Sequence, residues 1–309
     1  MRNILVCTIT YQRPQGLQTL LESLQSQSVD DDIFVEICVV DNACMNDTVT
    51  IIKAVQESPY KVIHLNEEKK GIVYARNKAV QYFLSGDYEV LVFIDDDERT
   101  GNEYWLKNLL NAQSQTSADI VTGDVFSVPE NEKIQWTEKS MDRMRHVKNL
   151  ESVRNFYTGN VLLKRSVLEE ITPAFDDRFA MTGSSDLHFC MRCQKLGFEI
   201  IYTDTAPAYE IFPESRATIK WFFLRGFRNG SGATRSAIYT SENIAKTIVL
   251  CLIYAAARFV KSIVVLFRAL IKMDKGIYAT GVMRFASSIG TIMGLFGVKY
   301  NEYKTIHGK

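Results

Sequence analysis

Val90-Leu91-Val92-Phe93-Ile94 runs without a break into Asp95-Asp96-Asp97-Glu98. An unbroken apolar run of this length fits a strand covered on both faces. Four acids at its end repel one another unless water or a cation separates them. The stretch therefore reads either as a solvated acidic turn or as the seat of a hard divalent cation. Mg²⁺ or Mn²⁺ takes one or two carboxylates and completes its shell with substrate phosphate oxygens and water.

Upstream, the rhythm is strand and helix in alternation. Residues 4–8, 34–40, 60–65 and 88–94 are strand-like, and helical spacing follows Arg13-Pro14 (Leu17, Leu20, Leu21, Leu24), recurs over 49–55, and returns over 72–84 after Gly71. This order predicts an α/β fold with a parallel core, whose ligands sit at the carboxyl ends of the strands. Those ends are residues 8–11, 41–42, 66–69 and 95–98. Downstream, a helix from Trp105, strands over 120–128, 156–163 and 199–203, and a helix over 185–196 are expected, with a mobile polar excursion over 129–150.

Composition narrows the class. With 46% hydrophobic and 23% charged residues and 6 prolines in 309, the chain is neither disordered nor collagen-like. Its net charge of zero hides a division: residues 216–309 carry 15 Lys/Arg and 3 Asp/Glu, a net of +12, against −12 over residues 1–215. Opposite signs suggest two jobs, one of them meeting an anionic partner. The apolar run after Met1-Arg2-Asn3 is too short for a signal peptide. Cys190-Met191-Arg192-Cys193 is one C-x-x-C, read as helix packing rather than zinc, because no second pair accompanies it.

Taken together, Thr10-Tyr11-x-Arg13-Pro14, Val39-Val40-Asp41-Asn42, Gly71-Ile72-Val73-Tyr74-Ala75-Arg76-Asn77 and Asp95-Asp96-Asp97 resemble the family 2 glycosyltransferases of the GT-A nucleotide-sugar fold, over about residues 3–205. Phe156-Tyr157-Thr158-Gly159-Asn160 and Phe175-Asp176-Asp177-Arg178-Phe179 share that resemblance, which is closest to bacterial polysaccharide-assembly members. It implies a Rossmann-like mixed sheet flanked by helices. It also implies that the acidic run is the D-x-D element, with Asp95 on ribose, diphosphate or metal, Asp96 in the donor site and Asp97 on Mn²⁺ or Mg²⁺. Thr8, Thr10, Tyr11, Arg13, Asp41, Asn42 and Arg76 would hold the nucleotide, by default UDP. The glycine fingerprint of dinucleotide enzymes is absent from this sequence.

The family places its base in a Glu-Asp pair opening a helix. Here Asp186 matches the aspartate and Ser185 replaces the glutamate. The resemblance implies an inverting displacement with Asp186 as general base, and an acceptor site drawing on Trp105, Thr158, Gly159, Asn160 and Ser185. The same Ser-Asp pair also reads as a helix cap.

The division of charge places the catalytic part at 1–215 and a basic helical part at 216–309. Over 244–275, Lys246, Arg258, Lys261, Arg268, Lys272 and Lys275 fall within about 120° of one helical face, with apolar residues around the rest. Charge-free runs of 11 residues (247–257) and 14 (285–298) are shorter than a bilayer crossing. An amphipathic helix lying on an anionic membrane is the expectation, against a helix packed on protein. Arg225 and Arg228, beside Trp221, read equally as diphosphate contacts or as the start of that basic face. Nucleic acid is not an expected partner, since the cations alternate with Ile and Leu. The expected activity is transfer of a sugar to a lipid-linked or cell-envelope glycan, by a cytoplasmic enzyme attached to the inner membrane face. The rivals are a non-catalytic sugar-nucleotide-binding or scaffold protein of the same fold and a haloacid-dehalogenase-type phosphatase, whose D-x-D-x-T/V motif is broken here by Arg99.

Overall fold

The structure, a computed structural model, describes residues 2–55, 59–141 and 147–300. The chain runs β1 (Arg2–Thr10), α1 (Pro14–Gln25), β2 (Ile33–Asp41), α2 (Asn46–Val55), β3 (Lys61–Asn66), α3 (Ile72–Ser85), β4 (Val90–Ile94) and β5 (Glu98–Thr100). There follow α4 (Trp105–Thr116), β6 (Ile120–Pro129), α5 (Glu138–Met141), β7 (Asn160–Lys164), α6 (Arg165–Glu170), α7 (Ser185–Lys195) and β8 (Ile200–Phe212). Three long helices close it: α8 (Ile219–Thr240), α9 (Ile244–Lys272) and α10 (Lys275–Leu295).

The strands form one mixed sheet ordered β3-β2-β1-β4-β7-β6-β8-β5. The first four are parallel, and β7 then runs antiparallel to both β4 and β6. Side-chain alternation divides the apolar residues between the two faces. Leu5 and Cys7 of β1 join one core with α3 and α7, whereas Ile4 and Val6 join the other with α1 and α4. The connections from β1 to β2 and from β4 onward leave in opposite directions. That divergence opens a crevice above the carboxyl ends of β1 and β4.

Several boundaries differ from the sequence expectations. β1 extends to Thr10, so Thr8 is interior rather than at the strand end. Residues 156–159 precede β7 rather than belonging to it, and β8 continues to Phe212. The expected excursion is ordered over Glu132–Thr137 and α5: Ile134 and Met141 are buried with Phe212 and Phe222, and Ser140 Oγ donates to the Gly276 carbonyl at 2.7 Å. Residues 142–146 of that expectation lie outside those described. Cys190 and Cys193 pack into the core, and burial pushes the Cys193 thiol upward.

α8 and α10 touch backbone to backbone. A Cβ at Gly226, Gly230 or Gly290 would overlap the main chain of Met283, Ser287 or Phe227 on the facing helix. Small residues permit this approach. α9 instead rests on α10 along a thin seam; Ala255, Ser262 and Ala269, one every seven residues, are its buried positions. Its outer arc is bare, with Phe267 65% and Ile271 68% exposed. Met273 turns left-handed at φ 49° and Asp274 caps α10, so Lys275 leaves the cationic face of α9 and sits 4.2 Å over the Trp136 ring. At 29 residues, about 43 Å, α9 reaches in length and composition what a bilayer crossing needs, which the two charge-free runs did not indicate.

Candidate active site

The acidic turn lies at the crevice, held by donors from the neighbouring strand end. β1 delivers Thr10, whose Oγ donates to Asp96 at 2.9 Å. Pro14 starts α1, which fixes Arg13 just outside its first turn; the Arg13 Nη1 donates to Asp96 at 3.0 Å and to Asp97 at 2.8 Å. Burial disfavours the Arg13 charge, but the carboxylates of Asp97 and Asp96 outweigh it and hold the guanidinium well above its ordinary value. Arg216, entering α8 from the far side, reaches Asp97 at 3.9 Å.

Negative charge remains in excess around this turn. Burial raises Asp95 to about 6, Arg76 opposing and Asp97 and Asp186 adding to the rise. Its side chain keeps 41% of its surface accessible, so water entering the crevice moderates the effect. Burial likewise pushes Asp96 upward against its Arg13 partner, and Glu98 upward with Asp95 and Asp97 reinforcing it. Glu98 is buried under the turn and accepts the Asp95 N–H at 3.1 Å. Gly159 makes room for it, since a Cβ there would collide with Glu98 Oε1.

This donor set fits a divalent cation shared with a diphosphate. Among the described residues, the Asp95 carboxylate makes only the 3.6 Å approach to Arg76, and Asp97 offers one oxygen to Arg13 and Arg216 while its Oδ1 has no hydrogen bond. Two open hard oxygens on a crevice suit Mg²⁺ or Mn²⁺, which draws its other ligands from substrate and water. A closed cage of three or more protein ligands is not formed among the described residues.

Across the crevice, Gly183 and Ser184 take left-handed φ values of 69° and 68°, turning the chain sharply into α7. Asp186 thereby lies in its first turn, on the crevice wall. Arg235 of α8 braces this turn by donating to Thr182 Oγ at 3.0 Å and the Arg178 carbonyl at 2.8 Å. Arg76 ties the two walls together: Nη1 donates to Ser185 Oγ at 3.1 Å while Nη2 faces Asp95.

The residues expected at the site are not all placed alike. Tyr11, Arg13, Asn42, Arg76, Asp95, Asp96, Asp97, Thr158, Gly159, Asn160, Ser185, Asp186, Arg225 and Arg228 line one continuous crevice of about 2840 Å³. Asp41 lies beneath it, fully buried, its carboxylate accepting the N–H groups of Ala43, Cys44 and Met45 at 2.8–2.9 Å. Such a carboxylate is already committed to shaping the loop into α2. Asn42 ties that loop to the Glu67 and Lys69 carbonyls, both at 2.8 Å. Thr8 is wholly buried with an unpartnered hydroxyl, because β1 extends beyond it.

Trp105 corrects an expectation. It is fully buried in the core beneath the sheet, and its indole N–H donates to Asn160 Oδ1 at 3.2 Å, so it offers an acceptor nothing. Asn160 in turn spends its amide on the Asp124 and Ala206 carbonyls at 3.0 and 2.7 Å. Sequence reasoning missed Arg216, Arg235 and the role of Gly159, whose partners are remote in the chain. It also missed that the crevice continues along the C-terminal helices to Leu250, Tyr254 and Arg258 of α9.

Comparison with known proteins agrees with this geometry. The family model described as Glycosyl transferase family 2 matches residues 5–172. The succinoglycan biosynthesis protein ExoM of Rhizobium meliloti (strain 1021) is 26% identical over 300 residues, covering 96% of this chain and 93% of that protein. The glucosyl-dolichyl phosphate glucuronosyltransferase of Haloferax volcanii is 24% identical over 242 residues, 74% of each chain. Among solved structures, the mannosyltransferase PcManGT from Pyrobaculum calidifontis, in complex with GDP-Man and Mn²⁺, superposes with a TM-score of 0.64 at 16% identity, covering 94% of this chain and 86% of that one. The acidic turn that opens the crevice belongs to a mixed GT-A-like sheet whose strands lie mostly inside the matched segment, and the chain belongs to glycosyl transferase family 2.

Proposed function

We propose that this glycosyltransferase moves a sugar from a nucleoside diphosphate sugar, UDP first among them, to a hydroxyl of a lipid-linked or cell-envelope glycan, with inversion at the anomeric carbon. The observation that carries the reading is the bridge through Arg76, which puts the Asp95 carboxylate and the first turn of α7, with Asp186, on facing walls of one crevice. A diphosphate leaving group departs with negative charge, so it needs fixed positive charge beside it. Arg225 and Arg228 line the crevice for that purpose. A divalent cation, when bound at Asp95 and Asp97, supplies further charge neutralisation to the diphosphate.

Asp186 accepts the proton of the acceptor hydroxyl, which then attacks from the face opposite the leaving diphosphate. One displacement inverts the centre, and no covalent enzyme intermediate is needed. The relatives support the setting: one is named for succinoglycan biosynthesis, and another for transfer involving a glucosyl-dolichyl phosphate. In the same reading, residues 1–215 catalyse and 216–309 dock. The bare apolar arc of α9 lies on the inner face of an anionic membrane, with Arg268 and Lys272, exposed and outside the crevice lining, supplying charge toward it.

Calorimetric titration with UDP and GDP, with and without Mn²⁺, tests the donor half. Metal-dependent binding of one diphosphate, lost in Asp97→Ala, is expected. Absence of binding under every condition overturns the reading in favour of a scaffold of the same fold.

A further inference from the structure

The crevice changes character along its length. Its sheet side is acidic, with Asp95, Asp96, Asp97 and Asp186; its far side, between α8, α9 and α10, is lined by Lys246, Arg258, Lys261 and Arg284 among apolar Leu250, Ile253 and Tyr254. Three of the α9 cations, Lys246, Arg258 and Lys261, line the crevice rather than facing away from the protein, as an amphipathic helix packed by its apolar side would require. Counting about 100° per residue from Lys246, the seam on α10 (Ala255, Ser262, Ala269) spans about 140–180°, the cations occupy about 0–120° next to it, and the bare apolar arc about 220–340°. The first half of the cationic arc, as far as Lys261, is therefore turned to the crevice, and Arg268 and Lys272 lie beyond its lining.

Three of these cations are brought close by the helix pair. Arg258 donates from α9 to Ser287 Oγ on α10, and its guanidinium lies 4.5 Å over the Tyr254 ring. Arg284 precedes Ser287 by one turn on α10 and Lys261 follows Arg258 by one turn on α9. Arg284 and Lys261 are exposed and have no carboxylate partner among the described residues. Glu242 is the one acid that α9, α10 and the loop before them contribute to the crevice, and it pairs with Lys195 at 3.0 Å. Cations held on two rigid helices without acids to neutralise them form an anion site.

We infer that Arg258, Lys261 and Arg284 bind the phosphate or diphosphate of a lipid-anchored acceptor, whose hydrocarbon runs out along Leu250, Ile253 and Tyr254. This rests on the transferase reading above. It sets the acceptor's direction: charged headgroup at α9 and α10, sugar end toward Asp186, chain leaving beside the bare arc of α9. The free-anion alternative has the same headgroup chemistry but makes no use of the apolar lining.

The test uses the full chain in detergent micelles with EDTA, so that no metal holds a diphosphate at the acidic turn. Farnesyl diphosphate is titrated against farnesol and inorganic pyrophosphate. The expected result is at least tenfold tighter binding of farnesyl diphosphate than of either. Arg258→Gln and Arg284→Gln are each expected to weaken it at least fivefold, with Arg258→Lys intermediate. Arg284 is exposed, so its substitution does not depend on the integrity of the Ser287 bond. Equal binding by these variants overturns the inference, as does pyrophosphate matching farnesyl diphosphate, or farnesol doing so. A parallel titration with UDP and Mn²⁺ separates the two readings. Its failure in the wild-type chain breaks the transferase reading, whereas loss of arginine dependence alone breaks this one.

Discussion

Arg76 donates to Ser185 Oγ at 3.1 Å from inside the protein, where the guanidinium is almost fully buried. Its other amino group faces Asp95 at 3.6 Å, so one rigid fork sets the position of the acidic turn relative to the helix that carries Asp186. Arg76→Lys keeps the charge and loses the fork. Turnover is expected to fall by about tenfold to a hundredfold. Ser185→Ala should cost less, and the double variant little more than Arg76→Lys alone, because the two residues share one interaction. Steady-state transfer rates for the four proteins test this.

Asp186→Asn removes the proposed base without changing its shape. A loss of about 10²–10⁴ in kcat is expected, with UDP affinity within about twofold of wild type. Equal losses in turnover and nucleotide affinity would move Asp186 out of the base role.

The acidic turn carries a pH signature. Asp95 is raised from 3.8 to about 6, so the folded protein binds more protons than the unfolded chain between these values. For this group, stability is greatest at low pH and declines as pH rises through about 6. Asp95→Asn should therefore raise the melting temperature of the ligand-free protein by a few degrees at pH 7.5 and by about half as much at pH 5. Mn²⁺ binding should show the opposite trend, weakening as pH falls below about 6 because the proton competes for the carboxylate. Differential scanning fluorimetry at the two pH values, with and without MnCl₂, reads both effects.

Gly159→Ala places a methyl group against Glu98 Oε1 in a buried site. Glu98 must then give up the Asp95 N–H, and a loss of about 1–3 kcal/mol in stability is expected, together with weaker Mn²⁺ binding. Urea melts and metal titration of the same variant report the two parts.

Vesicle flotation tests the docking of α9. Ile263 and Phe267, 51% and 65% exposed, belong to its bare arc. Ile263→Asp/Phe267→Asp should abolish co-flotation with vesicles containing anionic phosphatidylglycerol, and wild type should bind neutral vesicles more weakly.

Local pattern was enough for the first hundred residues. The strand before Asp95 and the helix after Pro14 announce themselves by apolar spacing, and that order places Arg13, Arg76 and Asp95–Asp97 together. Trp105 shows where local pattern ends. An aromatic opening a helix looks the same in sequence whether it faces a sugar or the core, and its partner Asn160 lies 55 residues away. Asp41 is a similar case: a strand-ending acid is equally able to hold a base or three backbone amides, and loop geometry decides. The cations of α9 were visible as an arc, but only the seam on α10 shows that its first half faces inward. Lys275 was misplaced because a left-handed Met273 has no sequence signal comparable to glycine.

The glycine contacts between α8 and α10 leave no side-chain cushion between two backbones. Such a joint is stiff in shear, so a load applied to α10 is delivered to α8 without being absorbed. α9 transmits to α10 along its seam, and α8 carries Arg225 and Arg228 at the crevice rim together with Arg235 behind the turn into α7. The bare arc of α9 is thus joined, through α10 and α8, to the mouth of the crevice. The three helices form one continuous chain of packing that begins at a surface free of protein contacts among the described residues and ends beside the turn that carries Asp186.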